Sequence, residues 1–196
     1  GMAYSQTSDV VWYAGGYQGE GNDVVTFGDG SITAATPGYS PYIGRYDAAT
    51  ETYVGPAKQG NADGRTHYND LSVDEVNNRV FGSGYALAQG GANTFIDVDG
   101  DGTADHTFAA STDITHGFLA TFDATTMAYQ KSIAWWSTDG NDQIRDNQTT
   151  SDGGVVAVGR TNGNLKSGAN NPALGSEDVY VAKYDANLNL LWDWQA

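Results

Sequence analysis

Two short phrases recur three times along this chain, always in the same order, and that recurrence limits the fold more than any other feature. The first is an apolar strand ending in glycine: DVVWYAGGY at 9–17, NNRVFGSGY at 77–85 and DGGVVAVGR at 152–160, aligned on Gly16, Gly84 and Gly159. The second is SPYIGRYDAATETYV at 40–54, HGFLATFDATTMAYQ at 116–130 and DVYVAKYDANLNLLW at 178–192, anchored on Asp47, Asp123 and Asp185. A period of roughly 70 residues marks a repeat architecture in which each copy is one supersecondary unit. The copies divide the 196 residues into units 1–64, 65–138 and 139–196 of a single domain.

Within a unit the hydrophobic period is two. Tyr42, Gly44 and Tyr46 alternate with Ile43 and Arg45; Phe118, Ala120 and Phe122 alternate with Leu119 and Thr121; Tyr180, Ala182 and Tyr184 alternate with Val181 and Lys183. Such runs, bounded by Asp, Asn and Gly, predict antiparallel strands. The links at 48–51, 124–127 and 186–189 each join two of them as a hairpin. The first phrase adds a strand pair, seen as LSV (71–73) and RVF (79–81), as TTSDGGVVAV (149–158), and as AYSQTSDVVWYA at the start. Four strands per unit, and no stretch with helical amphipathicity, predict an all-β chain of three tandem four-stranded antiparallel units like β-propeller blades. A β-sandwich of the same strands is the competing arrangement.

These phrases carry a resemblance. An [LI]-[SA]-V-D segment and a strand ending in Gly, followed by a [FY]-[VLI]-[AG]-[KRT]-[FY]-D…W phrase, are similar to the bacterial β-propeller repeats called SBBP repeats. DVYVAKYDANLNLLWDW (178–194) is the closest copy and LSVDEVNNRVFGSGY (71–85) is recognisable, whereas the first copy has no Trp after its hairpin. The resemblance covers essentially the whole chain. It implies a propeller fold and a secreted or cell-surface protein, and says little about activity.

Charge narrows the partners. Nine Lys+Arg against twenty-four Asp+Glu give a net −15. The cations are scattered singly, so nucleic acid and anionic membrane surfaces are not expected partners. Cysteine is absent, which removes disulfide and thiol chemistry. No apolar run is long enough to span a bilayer. The start, GMAYSQTSDV, lacks a basic segment followed by an apolar one; a secretory leader is expected to have preceded the chain and been removed.

The sharpest local motif is FIDVDGDGTADHTF at 95–108. Asp97, Asp99 and Asp101 recur at every second residue, Gly102 permits a reversal, and Asp105 closes a D-x-D-x-D-G-x-x-D pattern, with the Thr103 carbonyl as a further oxygen. A hard divalent cation takes such an oxygen set, and Ca²⁺ tolerates irregular geometry better than Mg²⁺. The loop resembles the short calcium loops of integrin-type propellers; it lacks the Glu at position 12 and the flanking helices of an EF-hand. EGNDVVTFGDGS (20–31), with Asp23 and Asp29, is a weaker echo. Trp135 and Trp136 are adjacent, so their rings fall on opposite faces of a strand, one packed and the other a candidate platform for a sugar ring. Trp192 and Trp194 share a face and are expected to pack. His67, His106 and His116 have no zinc spacing, and the acidic pair Asp142 and Asp146 identifies no glycosidase by itself.

The expected function is a calcium-stabilised extracellular or cell-surface binding or adhesion module, with carbohydrate or a surface protein as partner. The alternatives are a structural or assembly repeat of a larger surface protein, and a polysaccharide-active enzyme. Closed propellers carry four to eight blades, so three units are expected to pair in a homodimer with a six-bladed ring, or to form part of a longer propeller.

Overall fold

A computed structural model describes residues 1–19, 24–27, 30–33, 38–54, 58–62, 65–87, 94–108, 114–135, 137, 141–163, 165 and 177–196. Among these there is no helix. In the first unit the strands are β1 (Met2–Ser5), β2 (Val10–Gly19), β3 (Val24–Phe27), β4 (Gly30–Thr33), β5 (Gly38–Asp47), β6 (Thr52–Tyr53), β7 (Lys58–Gln59) and β8 (Asn61–Ala62). The second unit contributes β9 (Arg65–Asp74), β10 (Arg79–Leu87), β11 (Thr94–Asp97), β12 (His106–Phe108), β13 (Thr115–Asp123) and β14 (Tyr129–Trp135). The third is β15 (Gln143–Thr149), β16 (Val155–Thr161), β17 (Asp178–Tyr184) and β18 (Leu190–Gln195).

The expected four-stranded meanders are present. β1-β2-β5-β6, β9-β10-β13-β14 and β15-β16-β17-β18 are each antiparallel throughout. The first two meanders touch edge to edge through one parallel bridge, Tyr39 opposite Arg65, and so form one continuous sheet, while the third stands apart. Twelve strands were expected, and the additional ones lie in the inserts: a β3-β4 hairpin, and a three-stranded sheet in the order β12-β11-β8. The outer strand of the first unit is split. β6 pairs with Tyr46 and Asp47 of β5, and β7 with Tyr42 and Ile43.

Register corrects the alignment of the first unit. Gly84 lies opposite Phe118 and Gly159 opposite Tyr180, but in the first unit Gly15, not Gly16, lies opposite the equivalent Tyr42. A slip of one residue exchanges the two faces of a strand. It therefore puts Trp12 and Ala14, rather than Val11 and Tyr13, on the face turned toward the second unit.

That face logic places the core. Each unit has a forward face, toward the next unit, and a rear face, toward the one before. Trp12, Ala14 and Ile43 on the forward face of unit 1 pack with Val80, Phe118, Ala120 and Phe122 on the rear face of unit 2. Phe81, Leu119, Ile133 and Trp135 on the forward face of unit 2 pack with Ala157, Tyr180, Ala182 and Tyr184 of unit 3. Burying one such large side chain contributes roughly 1.5–3 kcal/mol, so these two seams hold the units together.

The first strand of each unit is polar and joins its neighbours by hydrogen bonds. Ser5 Oγ donates to Glu75 (2.9 Å), Asn147 Nδ2 to Ser83 Oγ (2.8 Å), and Asn69 Nδ2 to the Ile144 carbonyl (2.5 Å). Each seam also carries cations from the forward face to the hairpin turn of the following unit. Arg45 Nη1 donates to the carbonyls of Ala124 (3.0 Å) and Thr125 (2.5 Å). Lys131 Nζ donates to that of Asn187 (2.6 Å), and Arg79 to that of Ala186.

Candidate metal centre

The acidic loop connects β11 to β12 and rests on the first seam. Ile96, Val98 and Phe108 are buried in the core shared by units 1 and 2, so apolar residues alternating with the acids pin the loop to the body. β8 lies along β11, with Asn61 opposite Asp97.

Local hydrogen bonds aim the carboxylates. Asp97, only 1% exposed, accepts from the backbone N–H of Gly100 (2.6 Å) and of Gly102 (3.0 Å). Asp99 accepts from Asp101 N–H (3.2 Å), and Asp101 from Thr103 N–H (2.7 Å). Asp105 accepts from Val98 N–H (2.7 Å) while its own N–H bonds the Ile96 carbonyl (2.8 Å), which ties the end of the loop to its start. The reversal needs φ of +73° at Gly100 and +90° at Gly102, a region that side chains with a Cβ enter only at a cost.

Asp97, Asp99 and Asp105 each place one carboxylate oxygen within 4.8 Å of the others, a set that could hold a metal ion. Asp101 is exposed and outside that set; its carboxylate is turned to the Thr103 N–H. Burial, and after it the negative charges of Asp101, Asp105 and Asp97, pushes the Asp99 carboxyl above its ordinary range. Nearby acids with few counter-charges make a bound cation favourable.

Two tyrosines of the unit 2 sheet extend this polar region. Tyr68 is 2% exposed, its hydroxyl has no hydrogen-bond partner among the described residues, and burial followed by the Asp105 charge raises its pKa. The Tyr129 hydroxyl contacts Ser132 Oγ at 2.7 Å, and His106 Nε2 meets the same oxygen at 2.8 Å. Neither tyrosine was a sequence candidate. Tyr68 lies in RTHYNDLSVD and Tyr129 in YQKSIAW, and nothing in either strand marks a side chain that will face a carboxylate of the loop.

The other candidates separate. Trp135 is 4% exposed, packs edge-on against Tyr180 (ring centroids 4.6 Å apart, interplanar 89°) and donates Nε1–H to the Tyr184 hydroxyl (2.6 Å). It is a core residue of the second seam and offers no platform to a sugar. Trp136, Asp23 and Asp29 lie outside the described residues. Trp192 and Trp194, expected to pack, are 47% and 53% exposed, on the edge strand β18 and on the face turned away from unit 2. Asp142 is fully buried, accepting from Ser137 N–H (2.5 Å) and Thr161 Oγ1 (2.5 Å), whereas Asp146 is exposed on β15. Asp142 is thus a structural acid at the junction of units 2 and 3, shut off from substrate.

No protein-family model and no curated protein matches the chain.

Proposed function

We propose that the chain is a calcium-stabilised binding module that works outside the cell or on its surface. The observation that carries this reading is the convergence of the Asp97, Asp99 and Asp105 carboxylates within 4.8 Å, on a loop whose backbone N–H groups already orient them. Calcium suits the site better than magnesium, because an irregular set of loop oxygens cannot supply the near-ideal octahedron that magnesium demands. Asp101 and the Thr103 carbonyl complete the shell by a small movement of the exposed side of the loop. A net charge of −15 fits a medium rich in divalent cations.

The experiment is a calcium titration followed by calorimetry and thermal melting. A ligand that binds only the folded state stabilises it by about 2.7 kcal/mol at a hundred times its Kd. Melting is expected to rise with calcium, to rise less with magnesium, and to become calcium-independent in Asp99→Ala. Identical melting of the wild type in calcium and in chelator would remove the metal from this reading.

The sequence left carbohydrate and surface protein both open as partner. With Trp135 inside the core, what supports a protein partner is the exposed apolar face around Trp192 and Trp194.

A further inference from the structure

The rear face of unit 1 and the forward face of unit 3 carry the two halves of a contact that the described residues already make twice. At each internal seam, apolar residues on a forward face meet aromatic or small residues on the next rear face, and a cation from the first reaches turn carbonyls of the second. Strand register identifies the same positions at the ends. Leu119 and Ile133, forward residues of unit 2, correspond to Val181 and Trp194 of unit 3, since each pair lies cross-strand at the same step of its hairpin. Phe118 and Phe122, rear residues of unit 2, correspond to Tyr42 and Tyr46 of unit 1.

The forward face of unit 3 therefore presents Val156, Val158, Val179, Val181, Trp192 and Trp194. Val179 is 49% exposed, and the tryptophans about as much. Such a surface is larger and more apolar than scattered single exposures. The rear face of unit 1 presents Val11, Tyr13, Tyr42, Tyr46 and Tyr53, all half-buried. Its tyrosines are mutually packed, with Tyr46 and Tyr53 5.3 Å apart and Tyr13 and Tyr53 6.1 Å apart. Tyr and Trp are the residues most enriched at protein interfaces, being large and apolar with a polar edge.

The cation device is also in place. Lys183 precedes Tyr184-Asp185 as Arg45 precedes Tyr46-Asp47. Arg45 reaches the turn carbonyls of Ala124 and Thr125, whose counterparts in unit 1 are Ala48 and Ala49. Within its own chain Lys183 pairs with the exposed Asp152 (2.6 Å).

We propose that the forward face of unit 3 docks on the rear face of unit 1 of a second copy, repeating the internal seam, and that two copies close head to tail. The occupant is a second copy because one chain carries both halves of the seam. Closure at both ends places six units in a ring, within the four to eight of closed propellers, and satisfies every end face without leaving an open, growing contact. The Lys183 ammonium then faces the Ala48–Ala49 turn of its partner. Nothing in this contact requires the metal loop.

Light scattering after size exclusion, at about 0.1 M salt where repulsion is screened beyond roughly 10 Å, tests this. The wild type is expected at twice 20.7 kDa. Trp194→Asp and Tyr46→Asp are each expected to be monomeric, and an equimolar mixture of the two is expected to restore a dimer. In the mixture, the intact rear face of the first variant meets the intact forward face of the second. Val179→Asp, at an exposed position, is a second forward-face variant with the same expected behaviour, and recovery of the dimer on mixing shows that the variants are folded. A wild type that stays monomeric at millimolar concentration overturns the proposal and leaves the end faces to another protein. So does a Tyr46→Asp variant that dimerises like the wild type while Trp194→Asp does not, since the tryptophan face then pairs with itself.

Discussion

Asp9, Glu51, Asn78, Met127 and Leu188 hold φ between 53° and 61°, and each closes a hairpin turn. For residues with a Cβ this conformation costs on the order of 1–2 kcal/mol, less for Asn and Asp. The anchoring aspartates help to meet that cost. Asp123 Oδ1 accepts from the N–H groups of Thr125 (2.9 Å) and Thr126 (2.7 Å), Asp185 Oδ1 from Asn187 and Asn189 (both 2.8 Å), and Asp47 Oδ1 from Thr50 (2.9 Å). This explains why an Asp recurs in all three copies, which the sequence displayed without a reason. Met127 and Leu188 gain from the conformation, since it turns their side chains into the seams, where each is 3% exposed. Glu51 is exposed and gains nothing. Glu51→Gly is therefore expected to stabilise the protein by about 0.5–1 kcal/mol, the relief at φ exceeding the entropy that glycine adds to the unfolded chain; chemical denaturation reads it. Leu188→Gly, by contrast, loses buried contacts and is expected to destabilise by about 2 kcal/mol or more.

At the level of elements, strands, hairpins and their order were legible because period-two alternation and turn residues are local signals. The face of β2 was not. DVVWYAGGY offers two adjacent glycines, and alignment with NNRVFGSGY picks Gly16, whereas pairing with β5 puts Gly15 in the shared position. Only the cross-strand partner distinguishes them. Glycine at this position in the other units is required by close approach. A Cβ on Gly159 would lie far closer to the Gln143 carbonyl oxygen than van der Waals contact allows, and one on Gly84 likewise to that of His67, beside the irregular register of each pair. Neither carbonyl can move without opening its strand pair. Gly159→Ala is expected to cost about 3 kcal/mol. Gly102→Ala meets no atom within 4 Å and pays only for its φ, about 1–2 kcal/mol. Urea denaturation of the two variants should preserve that ranking.

For the whole molecule, acid is the informative variable. His116 is 3% exposed, stacks on Phe108 (ring centroids 4.0 Å apart), has no hydrogen-bond partner among the described residues for either ring nitrogen, and is held by burial at a pKa of about 4. A histidine whose pKa is depressed by folding takes up its proton first in the unfolded chain, so its contribution is complete above pH 6.5 and is lost as pH falls toward 4. Discounted for residual solvent screening, the loss is about 2 kcal/mol, and His116→Phe is expected to flatten stability across that window. Below it, Asp123 and Asp185, lowered mainly by turn hydrogen bonds, withdraw their support as they protonate. Asp142, raised by burial, acts in the opposite sense: protonation favours its folded form, so its effect fades as pH rises. The sequence alone determined the all-β class, the three units, their hairpins and the acidic loop, because each rests on spacing within a few residues. It marked Asp97, Asp99 and Asp101 by their alternation and Asp105 as the closing acid, and could not tell that Asp101 stands outside the converging set. Tertiary structure decided which acids converge, which tryptophans are buried and which face of each strand meets its neighbour. Burial and convergence depend on contacts between segments tens of residues apart: Ile133 and Trp194 hold the same step of their hairpins, yet Ile133 packs against unit 3 while Trp194 is exposed.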